Sequence, residues 1–192
     1  MVSATLTARS TALRPPVPQR VQPFQVIDPP SSTQDGASRY VLLVLQESLV
    51  ADARAQGVER FVVGAVVHDH GTALLVTRSA QDDFLPYVDE LPSGGLEPGE
   101  SLAGALDREL LEEVGFAADP IDPGFLAWFD YQSGSGRVTR QFTVSVPLAS
   151  RTVRLSSEHS AHRWIRHSEL DATSATPETK SLLESWFRWA QA

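Results

Sequence analysis

The chain contains no cysteine. That excludes disulfides, thiolate metal sites and a cysteine nucleophile together. It has no long apolar run: the stretch YVLLVL at 40–45 is far too short to cross a bilayer. No secretory apolar segment is present either, and the expectation is a cytoplasmic protein without membrane partners. Basic residues are scarce, 16 against 24 acidic ones, so the net charge is −8. A chain of that sign is a poor match for a nucleic-acid polymer. A small anion remains an admissible ligand where bound cations supply local positive charge. Lys180 is the one lysine, which reads as composition and not as function. No internal repeat is visible.

What is present concentrates between Gly94 and Phe116, GGLEPGESLAGALDRELLEEVGF. Ser101 to Val114 carries leucine and alanine with no proline and reads as a helix. At about 100° per residue, Glu109, Glu112 and Glu113 fall within an arc of roughly 100°. Leu106, Leu110 and Val114 continue around the helix as a packing face. Three carboxylates on adjacent turns repel one another and weaken a bare helix. A hard divalent cation such as Mg²⁺ removes that conflict, because it takes oxygen ligands and keeps waters and substrate phosphates in its shell. The loop before the helix holds Pro92, Gly94, Gly95, Pro98 and Gly99, which is turn chemistry. Its glycines allow close approach of backbone to a ligand.

The fixed points Gly94, Glu100, Arg108, Glu109, Glu112, Glu113 and Gly115 match, position for position, the signature of the Nudix hydrolases. Seven such positions coincide by chance on the order of once in a billion windows, so the match is specific. The resemblance implies the Nudix fold, an α+β protein built as an α/β/α sandwich around a mixed β-sheet. It implies Mg²⁺-dependent hydrolysis, with Mn²⁺ as a substitute, of a nucleoside diphosphate linked to a further group. By the same resemblance Glu112 and Glu113 are metal ligands, Glu109 is a ligand or the general base, and Arg108 orients a glutamate or neutralises the cluster. The carbonyl of Ser93 stands where such enzymes often take a further ligand, and Glu158 is the candidate for an extra carboxylate on a facing loop. A non-catalytic nucleotide sensor is the alternative of another class. Such relatives usually lose motif carboxylates, and here all are present.

The rest of the chain divides into three parts. Residues 1–37, with six prolines between Pro15 and Pro30, read as a flexible tail. Residues 38–57 suit a helix that covers a core edge or makes a homodimer contact. Residues 58–192 form the catalytic domain. In it FVVGAVV at 61–67 is a buried strand, HDHG at 68–71 a turn, and ALLVT at 73–77 the returning strand. FLAWFDY at 125–131 and VTRQFTVSV at 138–146 are strands joined by a hairpin loop, QSGSGR. Trp164 and Ile165 suggest a short last strand, with His159 and His162 as surface or packing residues before it. Thr176-Pro177-Glu178 starts a final helix. Candidate substrate contacts are Gly94 and Gly95, Arg78 at the end of the second strand, Tyr131 as a base stacker, and Arg140, which falls on the apolar side of its strand. The favoured substrate is a nucleoside triphosphate, ordinary or oxidised, cleaved to a monophosphate and pyrophosphate. ADP-ribose or a nucleotide sugar is the alternative.

Overall fold

The computed structural model describes residues 48–192 apart from 83, 84 and 149. The expected tail, 1–37, and the first half of the expected helix, 38–47, lie outside the described residues. From 48 the helix is present: α1 runs over residues 48–55, and Gly57 follows with φ of +87°.

One mixed sheet forms the middle layer. Its strands are β1 (Arg60–Asp69), β2 (Thr72–Arg78), β3 (Asp89–Glu90), β4 (Ser93–Gly95), β5 (Asp122–Gln132), β6 (Val138–Pro147) and β7 (His159–Ile165). β1 pairs in parallel with β6, and the other pairings are antiparallel. β1 meets β2 only where they turn, at His68–Ala73 and Asp69–Thr72. Beyond that the two strands part. The segment Asp89–Gly95 enters the gap as a wedge, with Asp89 and Glu90 on β2 and Ser93 to Gly95 on β1. This wedge sets the functional loop into the sheet itself.

Two helical layers cover the sheet. On one face α2 (Leu102–Glu113) buries Leu102, Leu106 and Leu110 against Val63, Ala65 and Phe142, and Ala53 of α1 joins them. On the other face α3 (Pro177–Trp189) buries Leu182, Leu183 and Trp186 against Val66, Leu75 and Phe125. A 3₁₀ turn, His167–Ala172, leads into α3. The alternation along β1, β5 and β6 therefore feeds two cores, and the architecture is the expected α/β/α sandwich. The last strand is longer than Trp164–Ile165: β7 spans seven residues because all of it pairs with β2. Its middle residues are exposed, so it lacks the apolar alternation by which strands are read from sequence.

Candidate active site

α2 starts and stops where its sequence dictates. Ser101 caps the first turn by accepting from the Gly104 N–H at 3.0 Å. At the other end Gly115 has φ of +86°, and its N–H donates to the Leu110 carbonyl at 2.9 Å. That left-handed cap is why the pattern has glycine there.

The glutamates of α2 sit in graded environments. The Glu112 side chain is 61% exposed. Glu109 is 13% exposed and accepts from Arg108 Nη1 at 2.7 Å. Glu113 is buried, and its Oε2 accepts the Ser93 N–H at 2.9 Å. Burial pushes the Glu113 carboxyl up to about 9; the Ser93 bond opposes this, and Glu90, Glu109 and Glu158 add to it. Burial also raises Glu109, against the opposing pull of Arg108. Glu158 is exposed but close enough that its charge acts on both. The structure thus gathers Glu109, Glu113, Ser93 and Glu158 in one place, with Glu112 at its open side.

Arg108 is a clamp. It donates to Glu100 through Nε and Nη2, both at 3.0 Å, to the Gly95 carbonyl at 2.9 Å and to Glu109. These bonds raise Arg108 and hold Glu100 below its ordinary range. Glu100, a fixed point of the motif, therefore works through the arginine. Gly94 has a steric reason: a Cβ there would stand 1.8 Å from the Glu109 carboxyl carbon. The backbone of β4 presses on the carboxylate, and only glycine leaves it room.

Two residues that the sequence did not reveal complete this end of the site. Glu90, on the wedge, receives Arg78 Nη1 at 2.9 Å on both oxygens. His159 was expected as a surface or packing residue. It is 2% exposed, with Nε2 at 3.2 Å from Glu90 and 3.9 Å from Glu113. The signal for His159 was its position next to Glu158; without a visible strand its burial could not be read.

A cleft of about 410 Å³ extends from these residues over the α3 face of the sheet. Arg78, Gly94, Gly95 and Tyr131 line it, as expected. Arg78 is already engaged by Glu90 and Asp82. Arg140 is not brought to the cleft. Its Nε and Nη2 donate to Asp130 at 2.7 and 2.8 Å, Nη2 also donates to Gln56 at 2.9 Å, and it lies over Trp128. The apolar side of β6 faces α1 and α2, so Arg140 is a buried ion pair away from the ligand. Its neighbour Gln141, on the opposite side of β6, lines the cleft instead.

Among the described residues, no group of three or more carboxylate or imidazole side chains converges on a metal position as it stands. The chemistry of the donors nevertheless fits a hard cation. All are oxygens, and the buried Glu113 carboxylate has a single backbone N–H against three neighbouring acids.

The family model of the NUDIX domain matches residues 58–187. This chain belongs to the NUDIX family. It is 33% identical over 125 residues to the CTP pyrophosphohydrolase of Escherichia coli (strain K12), a match covering 65% of this chain and 89% of that protein. Among solved structures, the E. coli ORF135 protein superposes with a TM-score of 0.57 at 31% identity, over 70% of this chain and 92% of that one. The MutT protein from Methanosarcina mazei Go1 gives a TM-score of 0.61 at 21% identity, over 69% and 96%. The fold is thus the Nudix fold, and the chain is a hydrolase acting on pyrophosphate bonds, in a family whose enzymes act on small nucleotide substrates. Among the described residues no helix is long and apolar enough to cross a membrane.

Proposed function

We propose that this enzyme is a Mg²⁺-dependent nucleoside triphosphate pyrophosphohydrolase, releasing a monophosphate and pyrophosphate. The observation that carries the metal dependence is Glu113, a buried carboxylate held by one backbone N–H, that of Ser93, and faced by Glu90, Glu109 and Glu158. Glu112, Glu113, Glu158 and the Ser93 carbonyl would hold the cation; Glu109 joins them or takes the proton of the attacking water. Mg²⁺, or Mn²⁺ in its place, supplies neutralisation of phosphate charge and acidification of water there. The chain's own part is positional. Arg108 fixes Glu109 against Gly94, and the Ser93 N–H fixes one oxygen of Glu113. The wedge thereby sets both carboxylates relative to the cleft, where the glycines of β4 admit a phosphate chain close to the backbone.

The choice of a triphosphate is supported by the 33%-identical relative, which is a CTP pyrophosphohydrolase. ADP-ribose or a nucleotide sugar remains the second reading, because the cleft is open enough for a conjugate. Cytoplasmic location and homodimerisation through residues 38–57 belong to the same proposal. The test is kcat/KM for GTP and CTP against ADP-ribose with Mg²⁺, products identified by mass. A ratio above one, with activity lost in chelator and regained with Mg²⁺, is expected. A ratio below one overturns the substrate, and full activity without metal overturns the site.

A further inference from the structure

The cleft has two ends of different character. At the glutamate end the two arginines are ion-paired, Arg78 with Glu90 and Asp82 and Arg108 with Glu100 and Glu109, although Arg78 Nε has no acceptor among the described residues. At the other end three polar groups have no protein partner among the described residues. Arg60 lines the cleft with its guanidinium 3.5 Å from where a Gly95 Cβ would stand, and it makes no ion pair. Gln141 is 8% exposed, lines the cleft, and makes no side-chain hydrogen bond. Tyr131 lines the opposite wall with its hydroxyl unpaired, close enough to Arg60 for that charge to act on it.

The sheet register fixes their arrangement. Arg60, Thr139 and Tyr131 are paired neighbours across β1, β6 and β5, and so are Val62, Gln141 and Phe129 one step along. Strand spacing puts Arg60 and Tyr131 about 10 Å apart between Cα atoms, with only the short Thr139 between. Gln141 stands on the floor beside that gap. On the same strand face Thr139 donates to the Arg137 carbonyl and Ser145 to Asp122, while the Thr143 hydroxyl is buried without a partner among the described residues and away from the cleft lining. Gln141 is left with an amide that opens on the cleft and has no side-chain hydrogen bond among the described residues. Its oxygen and its two N–H donors are therefore available to a ligand in the cleft.

We propose that Arg60, Gln141 and Tyr131 form a clamp for the nucleobase, selecting bases that present two adjacent acceptors. Tyr131 offers a stacking face, and Arg60, across the gap, presents its guanidinium to the edge of the stacked base. A guanidinium fork needs two neighbouring acceptors for a bidentate bond. Guanine has them in O6 and N7, as does cytosine in N3 and O2. Adenine sets a donor beside its acceptors, and uracil separates its two carbonyls by an N–H. Glu178, at the start of α3, also lines the cleft and gives an acceptor for an amino group, which both favoured bases carry. This assignment rests on the nucleotide reading above, and it makes Arg60 and Gln141 specificity residues.

The experiment measures binding apart from turnover. Calorimetry with GDP, CDP, ADP and UDP is run on the full chain and on Arg60→Ala and Gln141→Leu, alongside hydrolysis of the matching triphosphates. The wild type should bind GDP or CDP at least about ten-fold more tightly than ADP and UDP, and which of the two leads identifies the base. Arg60→Ala should cut the favoured base by about ten-fold or more and the others by less than about three-fold. Gln141→Leu should narrow the same ratio with an unchanged or higher melting temperature, since no protein bond is lost. Uniform weakening for all four would make Arg60 a phosphate contact and overturn the clamp. Unchanged ratios, or no binding of any diphosphate, overturn it equally. Selective binding that responds to Arg60, without triphosphate hydrolysis, would instead leave the clamp standing and remove the triphosphate reading.

Discussion

Two groups of buried charge in this protein have opposite fates. Arg140 has its charge matched by Asp130 and a further Nη2 donor taken by Gln56. Glu113 is buried with one backbone donor, with three acids around it and, among the described residues, only His159 Nε2, 3.9 Å away, on the other side of the balance. Burial of charge is costly in both places, but only the first is answered from within the chain. A satisfied buried charge is architecture; an unsatisfied one in a family hydrolase is where a cation and a phosphate chain belong.

The widest separation between the two groups should appear in catalysis. Glu113→Gln or Glu112→Gln removes a negative donor while keeping shape, and each should lower kcat by two or more orders of magnitude with the fold intact by circular dichroism. Near-normal turnover in either would show that the ligand roles are wrongly placed.

A smaller but sharper effect comes from the wedge. Gly94→Ala puts a methyl group 1.8 Å from the Glu109 carboxyl carbon, whereas at Gly95 the nearest atom stands 3.5 Å away. Gly94→Ala should therefore lose on the order of ten- to a hundred-fold in kcat, because small misplacements of a catalytic group are costly. Gly95→Ala, one residue on, meets no protein atom closer than 3.5 Å, so it should leave kcat within a few-fold and act on KM, where its methyl group narrows the cleft. Equal behaviour of the two would mean that Glu109 moves freely and is not held by β4.

Arg140→Ala tests the satisfied group. It leaves Asp130 without its counter-charge, and removing one member of a buried pair costs about 3–5 kcal/mol; partial exposure of Asp130, at 23%, puts the expectation toward the lower end. Chemical denaturation should show that loss while the ratio of kcat/KM between substrates is unchanged. A changed ratio with little loss of stability would return Arg140 to the ligand.

These contrasts also mark what a sequence can disclose. α2 and the strands β1, β2, β5 and β6 were legible, because their periodicity is local; that Ser101 caps the helix and Gly115 ends it came from the structure. The wedge was not: Asp89–Glu90 and Ser93–Gly95 are too short to carry a period, and their partners are set by the parting of β1 from β2. Arg140 was rightly read as lying on the apolar side of its strand. Which helix layer covers that side is a non-local fact, and it decided between pocket and ion pair. Glu90 and His159 were missed for the same reason, since their meeting depends on β3 and β7 both pairing with β2.

The least disruptive test leaves the chain unchanged and varies only pH without metal. The Glu113 carboxyl lies at about 9 in the folded protein against an ordinary 4.5. Between those values the folded state keeps a proton that the unfolded chain has released, so stability falls as pH rises. The contribution is complete below pH 4.5 and is lost progressively up to pH 9, at a limiting slope of about 1.4 kcal/mol per unit. Glu109, raised in the same direction by burial, adds to it. Asp89 and Asp122 act oppositely. Although burial works against both, hydrogen bonds from Ser174 and Thr77 hold Asp89 low, and those from His68 and Ser145 hold Asp122 low. Their stabilisation is present above the ordinary carboxylate range and lost only as pH falls below it, so they are silent between pH 5.5 and 8.5. Denaturation in chelator at pH 5.5, 7 and 8.5 should therefore show a wild type that weakens with pH. Glu113→Gln should show a flatter dependence and the higher stability at pH 8.5. Added Mg²⁺ should restore the wild type most at high pH, where the ionised carboxylate is the ligand. Parallel curves for wild type and Glu113→Gln would mean that the buried carboxylate is already compensated, and the contrast with Arg140 would disappear.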